Sequence, residues 1–125
     1  TGRRAPNILS VVMPHRRQAG RGRIIAIGSR NAAEPAANLS AYNASKAALV
    51  SLVRTAALEN KDLGITANVI LPATMNTDTN RKAMPSADPN KWVQPKRVAD
   101  AVIFLSSVSG SQIIVAAIPL FGQEV

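Results

Sequence analysis

The apolar residues of the chain fall into short continuous runs and longer periodic stretches, and the two kinds alternate. Each short run is bounded by glycine or proline, which is typical of a strand buried on both faces. These predicted strands cover residues 23–28, 65–71 and 112–120. Apolar spacing of the helical kind predicts helices over residues 6–18, 40–60 and 95–107. Because strands alternate with helices, we predict a three-layer α/β fold in one domain over residues 1–125, with about three parallel strands and three helices.

The helix predicted over residues 40–60 is rich in alanine and leucine, and Ser40 is placed to cap its first turn. Its apolar residues cover most of the circumference, so the helix should pack against two surfaces. One of these is the sheet. A partner subunit is the natural candidate for the other.

The stretch after the second predicted strand is polar and has no regular period. Residues 73–94 are mainly threonine, asparagine, aspartate, proline and lysine, with Met75, Met84 and Trp92 as isolated apolar residues. We predict a long loop of the kind that usually serves a functional site, with Trp92 packing it down.

The composition excludes several classes of site. Hydrophobic residues make up 46% of the chain and aromatic residues only 3%, so the core should consist of alanine, valine, isoleucine and leucine. There is no cysteine, which excludes disulfides and thiolate metal sites, and we predict no metal ligands. The apolar runs are too short to cross a bilayer and no secretory signal is visible, so we expect a cytoplasmic protein without a membrane partner.

The net charge of +8 is concentrated in the first part of the chain, where no acidic residue precedes Glu34. The arginines involved are Arg3, Arg4, Arg16, Arg17, Arg21, Arg23 and Arg30. Such an end could bind nucleic acid or an anionic surface. However, no aromatic residue lies among these arginines to stack on bases, so we interpret them as a solvated helix end and turn and expect no nucleic-acid partner.

A candidate acid/base site follows from three polar residues near the first two predicted elements. Tyr42 and Lys46 are four residues apart, so they lie one turn apart on one face of the predicted helix. An ammonium beside a phenol favours the phenolate and lowers its pKa, which suits proton transfer at an alcohol or carbonyl oxygen. Ser29 follows the first predicted strand, at the sheet edge where α/β proteins bind ligands.

These residues and their spacing resemble the short-chain dehydrogenase/reductase family. The resemblance includes Ser29, thirteen residues before Tyr42, and the strand that ends at Pro72. The stretch 80–88, followed by Trp92, is similar to the dihydropteridine-reductase-like members. The family implies a Rossmann-like fold and NAD- or NADP-dependent hydride transfer on a small carbonyl, alcohol or pteridine-like substrate, in a homo-oligomer.

The resemblance also implies a role for each matching residue. Tyr42 would be the general acid/base, and Lys46 would lower its pKa and bind the nicotinamide ribose. Ser29 would orient the substrate oxygen. The segment after Pro72 would face the nicotinamide, with the Met75 backbone and the Thr77 side chain near its carboxamide.

The resemblance covers only the carboxyl half of the family fold. The Gly-rich turn that binds pyrophosphate is absent, because Gly20 and Gly22 precede a predicted strand instead of following one. Ala73 replaces the glycine that usually follows the strand proline. We therefore expect the chain to be truncated, to bind the dinucleotide incompletely by itself, and to self-associate. The alternatives are a non-catalytic remnant that acts as an assembly module, or a basic interaction module.

Overall fold

The computed structural model describes residues 21–32 and 37–124. In these residues three parallel strands form one sheet in the order β1-β2-β3. The strands are β1 (Gly22–Ile27), β2 (Ile65–Pro72) and β3 (Ala117–Leu120). The α-helices are α1 (Ser40–Asn60), α2 (Asp78–Ala83) and α3 (Pro95–Ser106). The prediction of a Rossmann-like parallel sheet with about three strands and three helices is confirmed.

The central strand β2 is the core of the molecule, because all its residues are buried. Side chains alternate between the two faces of a strand, so every second residue of β2 points to the same side. On one side Ala67, Val69 and Leu71 pack with Val53 and Ala57 of α1. The small alanines allow the helix to approach the sheet closely. Helix α1 thus covers one face of the sheet. Within the sheet, the last residue of β1, Ile27, pairs with Ile70 of β2.

Helix α3 packs against β1 and β2 and buries Val98 and Leu105. The residues of β2 with even numbers, such as Asn68 and Ile70, are fully buried as well. Asn68 donates its side-chain amide to the carbonyl oxygen of Ile113 at 2.8 Å, which ties the segment before β3 to the centre of the sheet.

The first turn of α1 differs from the prediction. Ser40 is the first helical residue and not the cap; Leu39 occupies the cap position and no side chain accepts a hydrogen bond there. The carboxyl end of α1 agrees with the sequence, in which a glycine precedes the second predicted strand. A short 3₁₀ turn follows the helix and ends at Gly64, whose φ of 72° is left-handed and therefore suits glycine.

The segment predicted as one long loop contains a short helix. Thr77 begins α2 by accepting a hydrogen bond from the Asn80 backbone at 3.2 Å, so the loop prediction over residues 73–94 is wrong in part. A 3₁₀ turn, Pro89–Lys91, follows. Trp92 is buried, as predicted.

The last strand is shorter than predicted. Residues 112–120 were expected to form it, but β3 begins at Ala117 because residues 108–113 form a 3₁₀ turn and further turns. The helix predicted over residues 6–18 lies outside the described residues, as do Arg3, Arg4, Arg16 and Arg17. No helix in the described ranges has the length and apolar character needed to cross a membrane.

Candidate active site

The candidate site lies at the edge of the sheet where the three parallel strands end. Ser29 comes two residues after β1, and Pro72 is the last residue of β2. Because the carboxyl ends of parallel strands meet at one edge, the residues that follow them surround a common space. That space is a cavity of about 450 Å³. It is lined by Gly28, Ser29, Arg30, Asn31, Tyr42, Pro72, Ala73, Thr74, Met75, Thr77, Asn80, Met84 and Glu124.

The site residues predicted from the sequence gather at this cavity. Its lining includes Ser29, Tyr42, Pro72, Met75 and Thr77. Lys46 does not line the cavity itself, but its Nζ lies 5.5 Å from the centre of the Tyr42 ring. The structure therefore brings the predicted residues together, while their catalytic and cofactor-binding roles stay predictions.

The turn that contains Ser29 is held by hydrogen bonds that its neighbours Gly28 and Asn31 make to β2 and α1. The Gly28 amide donates to the Ile70 carbonyl at 2.8 Å, which extends the pairing of β1 with β2 by one bond. The Asn31 amide donates to Ser29 Oγ at 3.3 Å, and Asn31 Nδ2 donates to Asn43 Oδ1 at 3.1 Å. The serine turn is thus tied to α1 next to Tyr42. A hydroxyl that accepts one bond keeps its own proton for donation.

Tyr42 is the third residue of α1 and is 45% exposed. The first turn of a helix carries a partial positive charge from its backbone N–H groups. Among the described residues, no side chain accepts a hydrogen bond at the cap of α1. The Lys46 ammonium lies over the face of the Tyr42 ring, within cation–π distance of its centre.

The segment after β2 is fixed by pairing with residues before α3. Met75 forms an isolated parallel bridge with Val93. The Val93 amide donates to the Thr74 carbonyl at 2.9 Å, and the Asn76 amide donates to the Val93 carbonyl at 2.8 Å. Asn80 Nδ2 donates to the Met75 carbonyl at 2.9 Å. The side of the cavity that includes Met75 therefore has a defined backbone, although residues 73–77 form no regular element.

The lining residues that were not predicted from the sequence include Arg30, Thr74 and Glu124. The Arg30 side chain donates to the Glu124 carbonyl at 2.6 Å, and the Glu124 carboxylate accepts two hydrogen bonds from Thr74. The position of Arg30, directly after Ser29, was a signal that could have identified it. No motif marks Thr74 or Glu124, because they meet across 50 positions of sequence.

The residues of the cavity fit the nicotinamide end of a dinucleotide. Its volume of about 450 Å³ is within the range of small-molecule sites, and backbone groups and a hydroxyl are present in its wall at Met75 and Thr77. A pyrophosphate site would need a Gly-rich turn between a strand and a helix. Neither strand-to-helix connection described, after β1 or after β2, has such a turn. In the described part of the chain, no group of three His, Cys, Asp or Glu could hold a metal ion.

Sequence comparison identifies the family. The model of the family described as short chain dehydrogenase matches residues 6–88. The chain belongs to the short-chain dehydrogenase family. The match includes Ser29, Tyr42, Lys46 and the segment around Pro72, so the family assignment rests on the same part of the chain as the cavity.

A curated relative and two solved structures show how far the similarity extends. 2,3-Dihydro-2,3-dihydroxybenzoate dehydrogenase from Escherichia coli is 33% identical, over 86% of this chain and 50% of its own length. A 3-ketoacyl-(acyl-carrier-protein) reductase from Brucella melitensis, solved in complex with NADH, is 25% identical with a TM-score of 0.79, covering 94% of this chain and 52% of its own. A gluconate 5-dehydrogenase from Burkholderia cenocepacia, solved with NADP and tartrate, is 24% identical with a TM-score of 0.83, covering 94% and 50%.

Three further points follow from these comparisons. The chain spans about half the length of the relatives it matches. The relatives include a 3-ketoacyl reductase and a dihydroxybenzoate dehydrogenase, and they do not support the similarity to dihydropteridine-reductase-like members. Family members related to this chain bind NADH or NADP.

Proposed function

We propose that the cavity is the reaction site of a NAD(P)-dependent oxidoreductase that interconverts a small carbonyl compound and its alcohol. The observation that carries this proposal is that Ser29 and Tyr42 line one cavity with Pro72, Met75 and Thr77. A carbonyl oxygen bound between these two hydroxyl groups would accept a hydrogen bond from each. Lys46, one turn along α1, adds a positive charge behind the phenol.

In the reducing direction, the carbonyl carbon gains a hydride and the carbonyl oxygen gains a proton. A bound nicotinamide would supply the hydride, which no side chain provides. The Tyr42 hydroxyl donates the proton, so the alcohol forms and a phenolate remains on the enzyme. The phenolate then recovers a proton from solvent, to which the half-exposed Tyr42 has access. In the oxidising direction the same phenolate accepts the proton of the alcohol.

Ser29 and Lys46 assist this proton transfer in different ways. The Ser29 hydroxyl donates a hydrogen bond to the carbonyl oxygen and stabilises the negative charge that develops there. The Lys46 ammonium lies at the face of the Tyr42 ring and supplies a cation beside the group that transfers the proton. Pro72, Met75 and Thr77 form the wall on which the nicotinamide would lie, with Lys46 near its ribose.

The substrate is proposed only as a class. The relatives act on a ketoacyl group and on a cyclic dihydrodiol, according to their names. A small carbonyl or secondary alcohol is common to both chemistries, and a pteridine is not part of either. The choice between NAD and NADP is not assigned.

The test is the carbonyl-dependent oxidation of NADH and NADPH by the full chain, with ethyl acetoacetate and cyclohexanone as probes. Ser29→Ala should lower kcat about 100-fold, because a donor to the developing charge is lost. Ser51→Ala, on the exposed side of α1, is the matched control and should leave the rate unchanged. Equal rates for Ser29→Ala and the parent chain would contradict the proposal.

A second candidate function is a non-catalytic assembly module, favoured by large apolar side chains on the helix surfaces. Leu52 and Leu58 of α1 are 42% and 57% exposed. Exposed apolar side chains that form one contiguous patch mark an interface. This function predicts self-association without turnover, whereas the oxidoreductase predicts turnover.

A further inference from the structure

The segment that follows β3 folds back across the cavity. We call residues 121–124 the β3 hook. Its turn is closed by a hydrogen bond from the Glu124 amide to the Phe121 carbonyl at 3.1 Å. Glu124 lines the cavity, and Phe121 is half-buried. The hook contacts three segments that surround the candidate site, and each contact has a different chemistry.

The first contact joins the hook to the segment after β2. Glu124 Oε1 accepts a hydrogen bond from the Thr74 amide at 3.0 Å, and Oε2 accepts one from Thr74 Oγ1 at 3.2 Å. Bonds to an ionised acceptor are stronger than neutral ones, and two of them also fix direction. Thr74 precedes Met75, so the carboxylate holds the wall on which the nicotinamide is proposed to lie.

The second contact joins the hook to the serine turn. Arg30, which follows Ser29, donates from Nη1 to the Glu124 carbonyl at 2.6 Å. Its guanidinium carbon also lies 4.7 Å from the centre of the Phe121 ring, a cation–π distance. The hook is therefore held from the Ser29 side as well as from the Thr74 side.

The third contact seats the hook on the backbone before α3. The Gln123 amide donates to the Lys91 carbonyl at 2.9 Å. Gly122 has a left-handed φ of 61°, and a Cβ there would lie 2.7 Å from the same carbonyl oxygen. Only glycine allows this close approach without a shift of the backbone. The hook thus has one defined position.

We propose that Glu124 is a positioning residue of the site. Its carboxylate holds Thr74 while Arg30 holds the hook, so the hook fixes the serine turn and the Met75 wall at a set distance across the cavity. The inference rests on the proposed function, because it takes the cavity to bind a nicotinamide and a carbonyl substrate together. The fixed distance then keeps the hydride donor and the Ser29 hydroxyl at the same carbonyl group. Glu124 takes no part in proton transfer.

The experiment compares Glu124→Ala, Glu124→Gln and Gln123→Ala in the full chain. The glutamine amide can accept from the Thr74 amide and donate to its hydroxyl, so it should restore the contact. Gln123→Ala alters the hook without touching Thr74 and is the matched control. NADH binding is measured by the fluorescence of Trp92, and amide hydrogen exchange is measured at Thr74 and at residues 28–31. Thr74→Val, which removes one of the two bonds, serves if Glu124→Ala does not fold.

We expect Glu124→Ala to weaken NADH binding about tenfold. It should also speed exchange both at Thr74 and in residues 28–31, across the cavity. Glu124→Gln should stay within about threefold of the parent affinity, as should Gln123→Ala. Exchange that changes only at Thr74 and in the hook, or an alanine variant that binds NADH as the parent does, would overturn the inference and leave the proposed function standing. If the parent chain binds no nucleotide, the proposed function fails and the exchange pattern alone decides the role of Glu124.

Discussion

The ammonium nitrogen of Lys46 lies 5.5 Å from the centre of the Tyr42 ring, one turn further along α1. This spacing places a full positive charge beside the only phenol in the chain. The proton-transfer chemistry proposed for the cavity depends on this pair.

Replacing Lys46 should therefore slow the reaction more than it weakens the fold. For Lys46→Met we expect kcat to fall about 10- to 100-fold, because Tyr42 loses the positive charge that lies beside its ring. Lys61→Met removes an exposed lysine beyond the end of α1 and should leave kcat unchanged. Turnover of NADH with ethyl acetoacetate measures both. Similar losses in the two variants would show that net charge, and not the pair, is responsible.

The hydrogen bond between Asn31 and Asn43 should matter for the position of Ser29. Asn43→Ala removes the acceptor at 3.1 Å, so the serine turn loses its tie to α1. We expect a loss of about 1 kcal/mol in the free energy of unfolding and a lower kcat/KM. Thermal unfolding and steady-state kinetics measure the two effects. Asn90→Ala, an exposed change in the 3₁₀ turn before Trp92, is the control. An unchanged kcat/KM in Asn43→Ala would refute the positioning of Ser29 from α1.

Part of this site could be predicted from local sequence, and the reason is geometric. Ser29, Tyr42 and Lys46 belong to a strand end and to one helix face, so their separation follows from the elements that carry them. Glu124 is 94 residues from Arg30 and 50 from Thr74, and no local period connects them. Helix α2 was missed because its six residues contain no apolar stripe, and the Thr77 cap that begins it lies in a stretch rich in polar residues.

The length of the last strand was overestimated for a related reason. Residues 113–118 form a continuous apolar run, which favours a strand along its whole length. Because residues 108–113 form turns, regular pairing with β2 begins further along the chain, and only Ala117–Leu120 forms the strand. The carbonyl oxygens of Ile114 and Ala116 nevertheless accept hydrogen bonds from Ala67 and Val69 of β2. The apolar run thus predicts where this segment lies, but not where the regular strand begins.

Gly122→Ala should displace the β3 hook. The side chain would force a left-handed residue into a strained conformation and bring Cβ to 2.7 Å from the Lys91 carbonyl oxygen. We expect a loss of about 1–3 kcal/mol in the free energy of unfolding and a red shift of Trp92 fluorescence, since the added Cβ would also press on the Trp92 backbone. Gly64→Ala carries a similar backbone strain, at a φ of 72°, at the end of α1. It should destabilise the chain without shifting the fluorescence. If Trp92 fluorescence shifts equally in both, the hook is not seated as described.

The exposed leucines of α1 predict self-association. In the described residues β1 pairs on one side only, with β2, and Leu58 is 57% exposed. We expect sedimentation velocity to show a species larger than a monomer at micromolar concentration. Leu58→Glu should shift it toward the monomer, whereas Ile103→Glu on α3 should not. A stable monomer of the parent chain at that concentration would be evidence against an interface on α1.

The central claim is that Tyr42 transfers the proton at a site that binds nicotinamide nucleotide, and one comparison tests it most directly. NADH and NADPH are titrated into the parent chain and into Tyr42→Phe, with binding followed by calorimetry and turnover of ethyl acetoacetate followed in the same samples. We predict saturable binding of at least one nucleotide by both proteins, with turnover at least about 100-fold lower in Tyr42→Phe. Equal turnover in the two proteins, or no binding by the parent chain up to millimolar nucleotide, would contradict the account.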